Sequence, residues 1–203
     1  MAARLHLQAF YLFDNPAMEG YKSRIVALFS TACNLMELSQ RLNERPQGFF
    51  DYYPFFCYQT FVNAAFVLLK ILTNGFFNTI INVQAGKQLL ESAITALRQM
   101  SVVNNDLPAR LGDIIGFFCA LPDPAVVGGV TLGDLQLKQV RNRLSMSVVH
   151  DCLWTWRRHF QTHQSDTDRS NDIQDKYHFD LVIQWADIIK YGLCYIPMEC
   201  NLP

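Results

Sequence analysis

From Tyr52 to Leu72 the chain reads YYPFFCYQTFVNAAFVLLKIL. Apolar residues at Phe55, Phe56, Tyr58, Phe61, Val62, Ala65, Phe66, Leu68, Leu69 and Leu72 leave almost no polar face. A helix apolar all round is enclosed by other helices or crosses a membrane. The length suits a span. However, Gln59, Asn63 and Lys70 interrupt it, and neither flank is strongly basic. The expectation is therefore the central helix of an all-α, multi-helix bundle. Pro54 falls where a first turn accepts proline. Asn74-Gly75 follows the last periodic residue as a stop signal.

Helical periodicity extends over most of the remaining chain. Arg4–Phe13 reads as a short helix with Leu5, Leu7, Phe10 and Tyr11 available for packing, broken by Asn15-Pro16. Ala17–Asn43 repeats Ile25, Leu28, Phe29, Ala32, Leu35, Met36 and Leu42 on one face. Ser39 interrupts that stripe and Leu38 lies off it. After the central helix, Val83–Met100 turns Leu89, Leu90, Ile94, Leu97 and Met100 inward. Asn104-Asn105-Asp106 supplies a turn and an N-cap for Leu107–Leu121, whose Pro108 sits early enough to be tolerated. Pro122–Gly133, with two Pro and three Gly, is a loop that can divide subdomains of one large domain or a fragment of one. Leu135–Gln161 is a long helix, Thr162–Asp175 a flexible polar loop, and Phe179–Tyr191 a last helix. No strand pattern is sustained.

The helix Leu135–Gln161 contains two features that a plain amphipathic helix lacks. Val140, Leu144, Val148, Val149, Cys152, Leu153, Trp156 and Phe160 form one apolar face. Arg143, Ser147, His150, Trp154, Arg157 and Gln161 form the opposite one. Lys138, Arg141 and Ser145 nevertheless fall on the apolar side. Either their long stems carry the charges to water, or Arg141 and Lys138 hold a carboxylate beside a favourable helix dipole. Trp154, in turn, lies among Arg143, Arg157 and Arg158. Either it packs under a neighbouring element with a cation–π contact, or it anchors a partner.

Composition narrows the field. Half of the 203 residues are hydrophobic and 17% are charged, ample for a deep core. A formal net charge of −1 gives no global case for nucleic acid or an anionic membrane. The six cysteines (Cys33, Cys57, Cys119, Cys152, Cys194 and Cys200) form no C-x-x-C pair and no zinc-site spacing. That usage points to a reducing compartment without structural disulfides, Cys194 and Cys200 being the pair that an oxidising one would join. MAARLHLQAFYLFD reads as an amphipathic helix rather than a secretion signal.

No catalytic set emerges. Gly128-Gly129 with Gly133 lacks the spacing and the lysine of a phosphate loop, and there is no G-x-S-x-G. His159 and His163 share the i, i+4 spacing of two metal ligands. They stand at a helix end beside a polar loop, where solvated histidines are the expectation, and no metal site is assigned. Glu19, Glu44 and Glu91 are far apart and face solvent. The expectation is a chain that is not an enzyme.

Three runs carry a family resemblance. LHLQAFYLFD (Leu5–Asp14), NNDLPARLGDIIGFF (Asn104–Phe118) and QVRNRLSMSVVHDCLWTWRRHF (Gln139–Phe160) resemble the C-terminal part of the regulatory, or middle homology, region of fungal zinc-binuclear-cluster transcription factors. The nearest likeness is to the leucine-pathway regulator type. The resemblance implies an all-helical regulatory domain in the nucleus that answers a small organic acid of branched-chain amino-acid synthesis. It also implies contact with transcription machinery or co-regulators, and a homodimer in the complete protein. Zinc belongs to the family's N-terminal DNA-binding domain. The scattered cysteines here do not match that cluster, so DNA is expected only through a missing domain, and a truncated product or a start at an internal Met is the expectation.

On this reading Arg141, Lys138 and Ser145, with Arg143 second, are the candidate effector-binding residues by helical geometry. Trp154, Arg157, Arg158 and His150 are the candidate interaction surface. The rival readings are a helical protein–protein scaffold using the Trp154 face, and an all-α enzyme or lipid-binding protein with a cavity beside Tyr52–Leu72.

Overall fold

In a computed structural model, the structure describes residues 1–45, 48, 50, 54–103, 106–121, 135–137 and 146–164, the side chains of 159–164 excepted. All fall within one unit, Met1–Asp168. The protein is all-α, and no strand occurs among the described residues. The helices are α1 (Ala2–Gln8), α2 (Tyr21–Asn43), α3 (Phe55–Leu72), α4 (Val83–Gln99), α5 (Leu107–Ala120) and α6 (Ser147–Gln164). Short 3-10 turns follow α1 at Ala9–Phe13 and α3 at Gly75–Phe77.

The first helix thus splits within the stretch expected as Arg4–Phe13, and a different set of residues faces inward. Leu5, Gln8, Ala9 and Leu12 are buried, an i, i+3, i+4, i+7 set. Leu7 and Phe10 lie on the other side and are 69% and 42% exposed. Helix α2 begins at Tyr21 rather than Ala17. The Asn15 side chain accepts from Ala17 N at 2.9 Å and its carbonyl from Met18 N at 3.0 Å, which closes a turn first. Gly20 then adopts φ +76°, a conformation that glycine enters without steric cost. Ser39 does not interrupt the buried stripe. It lies in it, because its hydroxyl donates to Leu35 O at 3.0 Å and needs no outside partner.

Helix α3 lies at the centre of the described bundle, packed by α2, α4, α5 and α6. It has the length and apolar character of a membrane-crossing segment, yet 67% of it is buried within the structure. From Thr60 to Leu72 all its residues except Lys70 are buried. Enclosing Phe61, Phe66, Leu68, Leu69 and Ile71 contributes roughly 1.5–3 kcal/mol each. The first turn is different. Phe55 and Phe56 are 42% and 58% exposed, and Pro54 precedes the helix in extended conformation instead of lying in its first turn. Asn63 is fully buried, with its amide nitrogen 3.5 Å from His6 Nδ1, so this polar interruption faces α1.

The end of α3 also departs from the expected glycine stop. Thr73 closes the helix, and extended Asn74 accepts from Phe76 N at 3.1 Å, opening the next 3-10 turn. Gly75 has no positive φ; among the described glycines Gly20 and Gly48 do. Asn82 caps α4 by accepting from Ala85 N at 3.0 Å. Asp106 caps α5 by accepting from Ala109 N at 3.2 Å, and its other oxygen takes Val102 N at 2.9 Å. Gly86 lets α4 approach closely. A Cβ there would stand 2.9 Å from Leu72 Cδ1 and 3.2 Å from Phe29 Cζ. Gln40 on α2 donates to Ser92 on α4.

The long helix expected over Leu135–Gln161 is not continuous. Leu135–Leu137 is not α-helical: Leu137 N donates to Leu12 O at 2.8 Å, and Gln136 Nε2 donates to Phe13 O at 3.1 Å. Leu135 and Leu137 are buried. The Leu137 amide and the Gln136 side chain thus dock on the 3-10 turn after α1, which competes with intrahelical bonding. Helix α6 starts only at Ser147, after a turn at Met146.

Candidate interaction surface

Helix α6 is fixed by its buried side. Val148, Val149, Cys152 and Leu153 are buried, and the helix packs on α3 and α5. Its start is set by Met146 O, which accepts from Val149 N at 3.0 Å and His150 N at 3.4 Å. Ser147, expected on the polar face, is 3% exposed. As the first helical residue it sits within the closely packed first turn.

One charged pair crosses this contact. Lys70 Nζ donates to Asp151 Oδ2 at 2.6 Å, with the side chains 16% and 17% exposed. A pair this enclosed holds two helices in register, because separating it leaves a charge without its partner in a poorly solvated place. Beside it, burial pushes the Cys152 thiol up to about 12, with Lys70 pulling down and Asp151 pushing up. That thiol is a packing group and not a nucleophile. Asp151 was invisible as a site residue in the sequence. Lys70 appeared only as an interruption of an apolar run.

The other side of α6 carries the candidate surface. His150, Trp154, Arg157 and Arg158 recur at i, i+4, i+7 and i+8, so one helix face brings them together. The Arg157 guanidinium lies over the Trp154 ring, 5.8 Å from its centroid. That is a cation–π contact, which holds both side chains in a defined arrangement. His150, Trp154 and Arg157 are half-buried and Arg158 is exposed. The candidate effector residues Lys138, Arg141, Arg143 and Ser145 lie outside the described residues, as do the loop 122–133 and the last helix expected at Phe179–Tyr191. Of the loop expected at Thr162–Asp175, residues 162–164 instead continue α6 and the rest lie outside the described residues.

Other chemistry is sparse. Cys33, Cys57, Cys119 and Cys152 are free thiols. Among the described residues no three His, Cys, Asp or Glu side chains gather as a metal-holding group. No family model matches the chain, and no curated protein or solved structure matches it.

Proposed function

We propose that the chain is the regulatory region of a fungal zinc-binuclear-cluster transcription factor. In this reading a nuclear helical module turns the level of a small organic acid into transcriptional output. DNA contact and zinc belong to a separate N-terminal domain. The output surface is His150, Trp154, Arg157 and Arg158, which would meet transcription machinery or a co-regulator. The input residues are Arg141, Lys138 and Ser145, with Arg143 in support. No catalysis is assigned, since the sequence offers no nucleophile–base pair.

The observation that carries the reading is the Arg157–Trp154 stack on α6. Tryptophan and arginine are the residue types that dominate binding energy at interfaces. Here they project from a helix whose buried side, Val148, Val149, Cys152 and Leu153, packs on α3 and α5, with the Lys70–Asp151 pair at its flank. The same stack favours one second reading, a helical scaffold that binds a partner without any metabolite.

One experiment separates the two. The chain is tethered to an unrelated DNA-binding domain in a fungal reporter strain, and organic acids of branched-chain amino-acid synthesis are depleted or supplied. A regulatory region gives an output that follows the acid and flattens in Arg141→Ala. A scaffold gives an output indifferent to both.

A further inference from the structure

We propose a carboxylate-binding site at the start of α2, formed by Arg24 and Tyr21 and held in reserve by Asp14. It is independent of the regulatory reading and uses none of the residues assigned to it.

The donors there are unsatisfied. Tyr21 is 1% exposed, and its hydroxyl has no hydrogen-bond partner among the described residues. Arg24 Nε and Nη2 are also buried atoms without a hydrogen-bond partner. A buried donor left unpaired costs roughly 1–3 kcal/mol, more when charged. Three such atoms on residues one helical turn apart need a common explanation.

Asp14 only partly supplies it. Its Oδ2 stands 3.5 Å from Arg24 Nη2, an ion pair without a hydrogen bond. The side chains of Arg24 and Asp14 are 31% and 35% exposed, so the ion pair opens to solvent while Tyr21 lies within the core. The Tyr11 ring lies under the guanidinium at 5.7 Å and orients it. The Tyr21 hydroxyl senses both charges: burial first, then Asp14, push its pKa up to about 12, and Arg24 opposes them. Helix α2 begins at Gly20 without a side-chain cap hydrogen bond, and its positive end favours an anion.

The donor set suits a planar two-oxygen group. Its two oxygens would accept from the guanidinium edge, one from Nε and one from Nη2, the bidentate arrangement that arginine offers to carboxylates. The Tyr21 hydroxyl would donate to the same group. Asp14 is the intramolecular competitor: an entering carboxylate displaces it from the guanidinium. This makes an unusual prediction, since removing a protein charge should strengthen the binding of an anion.

The test is calorimetric titration of the 203-residue chain with sodium acetate, malonate and phosphate at fixed ionic strength. Circular dichroism of each variant verifies folding. Saturable carboxylate binding is expected in the natural chain. Asp14→Asn should tighten it by about threefold or more, because a like charge has gone. Arg24→Gln should abolish it, and Arg24→Lys should weaken it, which covers the case of an unfolded Gln variant. Tyr21→Phe should weaken it as well. The proposal is overturned if Asp14→Asn binds no tighter, if neither Arg24 variant loses affinity, or if no chain gives saturable heat. Phosphate binding with silent carboxylates would overturn the assignment of ligand class.

Discussion

Lys70 Nζ stands 2.6 Å from Asp151 Oδ2, and this contact ties the central helix to the helix that carries the candidate surface. Both side chains are largely enclosed, at 16% and 17% exposure. Such a pair lies between the exposed case, worth little, and the buried case, costly to break. Lys70→Met or Asp151→Leu alone should cost roughly 2–3 kcal/mol, since each strands a charge. The double variant should recover most of that loss, because an apolar pair fills the same place. Urea unfolding of the three variants checks this. Additive losses in the double variant would show that the two residues act separately.

Cys152 offers a probe of the same contact. Its thiol is buried and held near pKa 12, so the reactive thiolate is scarce. Alkylation near pH 8 should label exposed Cys119 well before Cys152. Lys70→Met should speed Cys152 labelling selectively if the charged pair holds α6 on α3. Mass spectrometry of time points resolves the four described thiols. Equal rates at Cys119 and Cys152 would contradict the packing described.

Gly86 tests the spacing of α4 against α3 and α2. A Cβ would meet Leu72 on one side and Phe29 on the other. Gly86→Val should therefore cost about 1–3 kcal/mol despite removing a flexible residue from a helix. Thermal denaturation measures it. A stabilised variant would mean that the helices separate easily and that the close approach is incidental.

His6 gives the chain a pH dependence of definite sign. Burial holds its pKa below the ordinary value. Its Nδ1 lies 3.5 Å from the Asn63 amide nitrogen, a donor that favours an unprotonated ring nitrogen. The unfolded chain therefore binds this proton more readily than the folded one. The associated stability is present above about pH 6.5, the ordinary histidine value, and is lost as pH falls through and below it. Urea midpoints between pH 7.5 and 5.5 should fall less steeply in His6→Gln. Identical slopes would remove His6 as the cause.

The central helix was legible because its apolar residues surround the axis, and only burial or lipid accommodates that pattern. Pro108 and Asp106 likewise marked the start of α5 through chemistry confined to a few neighbouring residues. The errors arose where tertiary contacts outweigh local pattern. Leu135–Leu137 continues a helical periodicity, yet Leu12 and Phe13 carbonyls take its donors. Ser39 and Ser147 look polar in sequence, but burial depends on where the helix meets its neighbours. The Trp154, Arg157 and Arg158 face followed from helical spacing alone. The partner of Lys70 did not, since 81 residues separate it from Asp151.

The measurement closest to the central claim is reporter output from the tethered chain carrying Arg157→Glu and Arg158→Glu together. Neither residue is buried and neither is a member of the Lys70–Asp151 pair, so folding should persist by circular dichroism. If this face transmits the signal, output at equal protein abundance should change by about tenfold, the effect of losing ~1.4 kcal/mol at an interface anchor. Output equal to that of the natural chain would contradict the account.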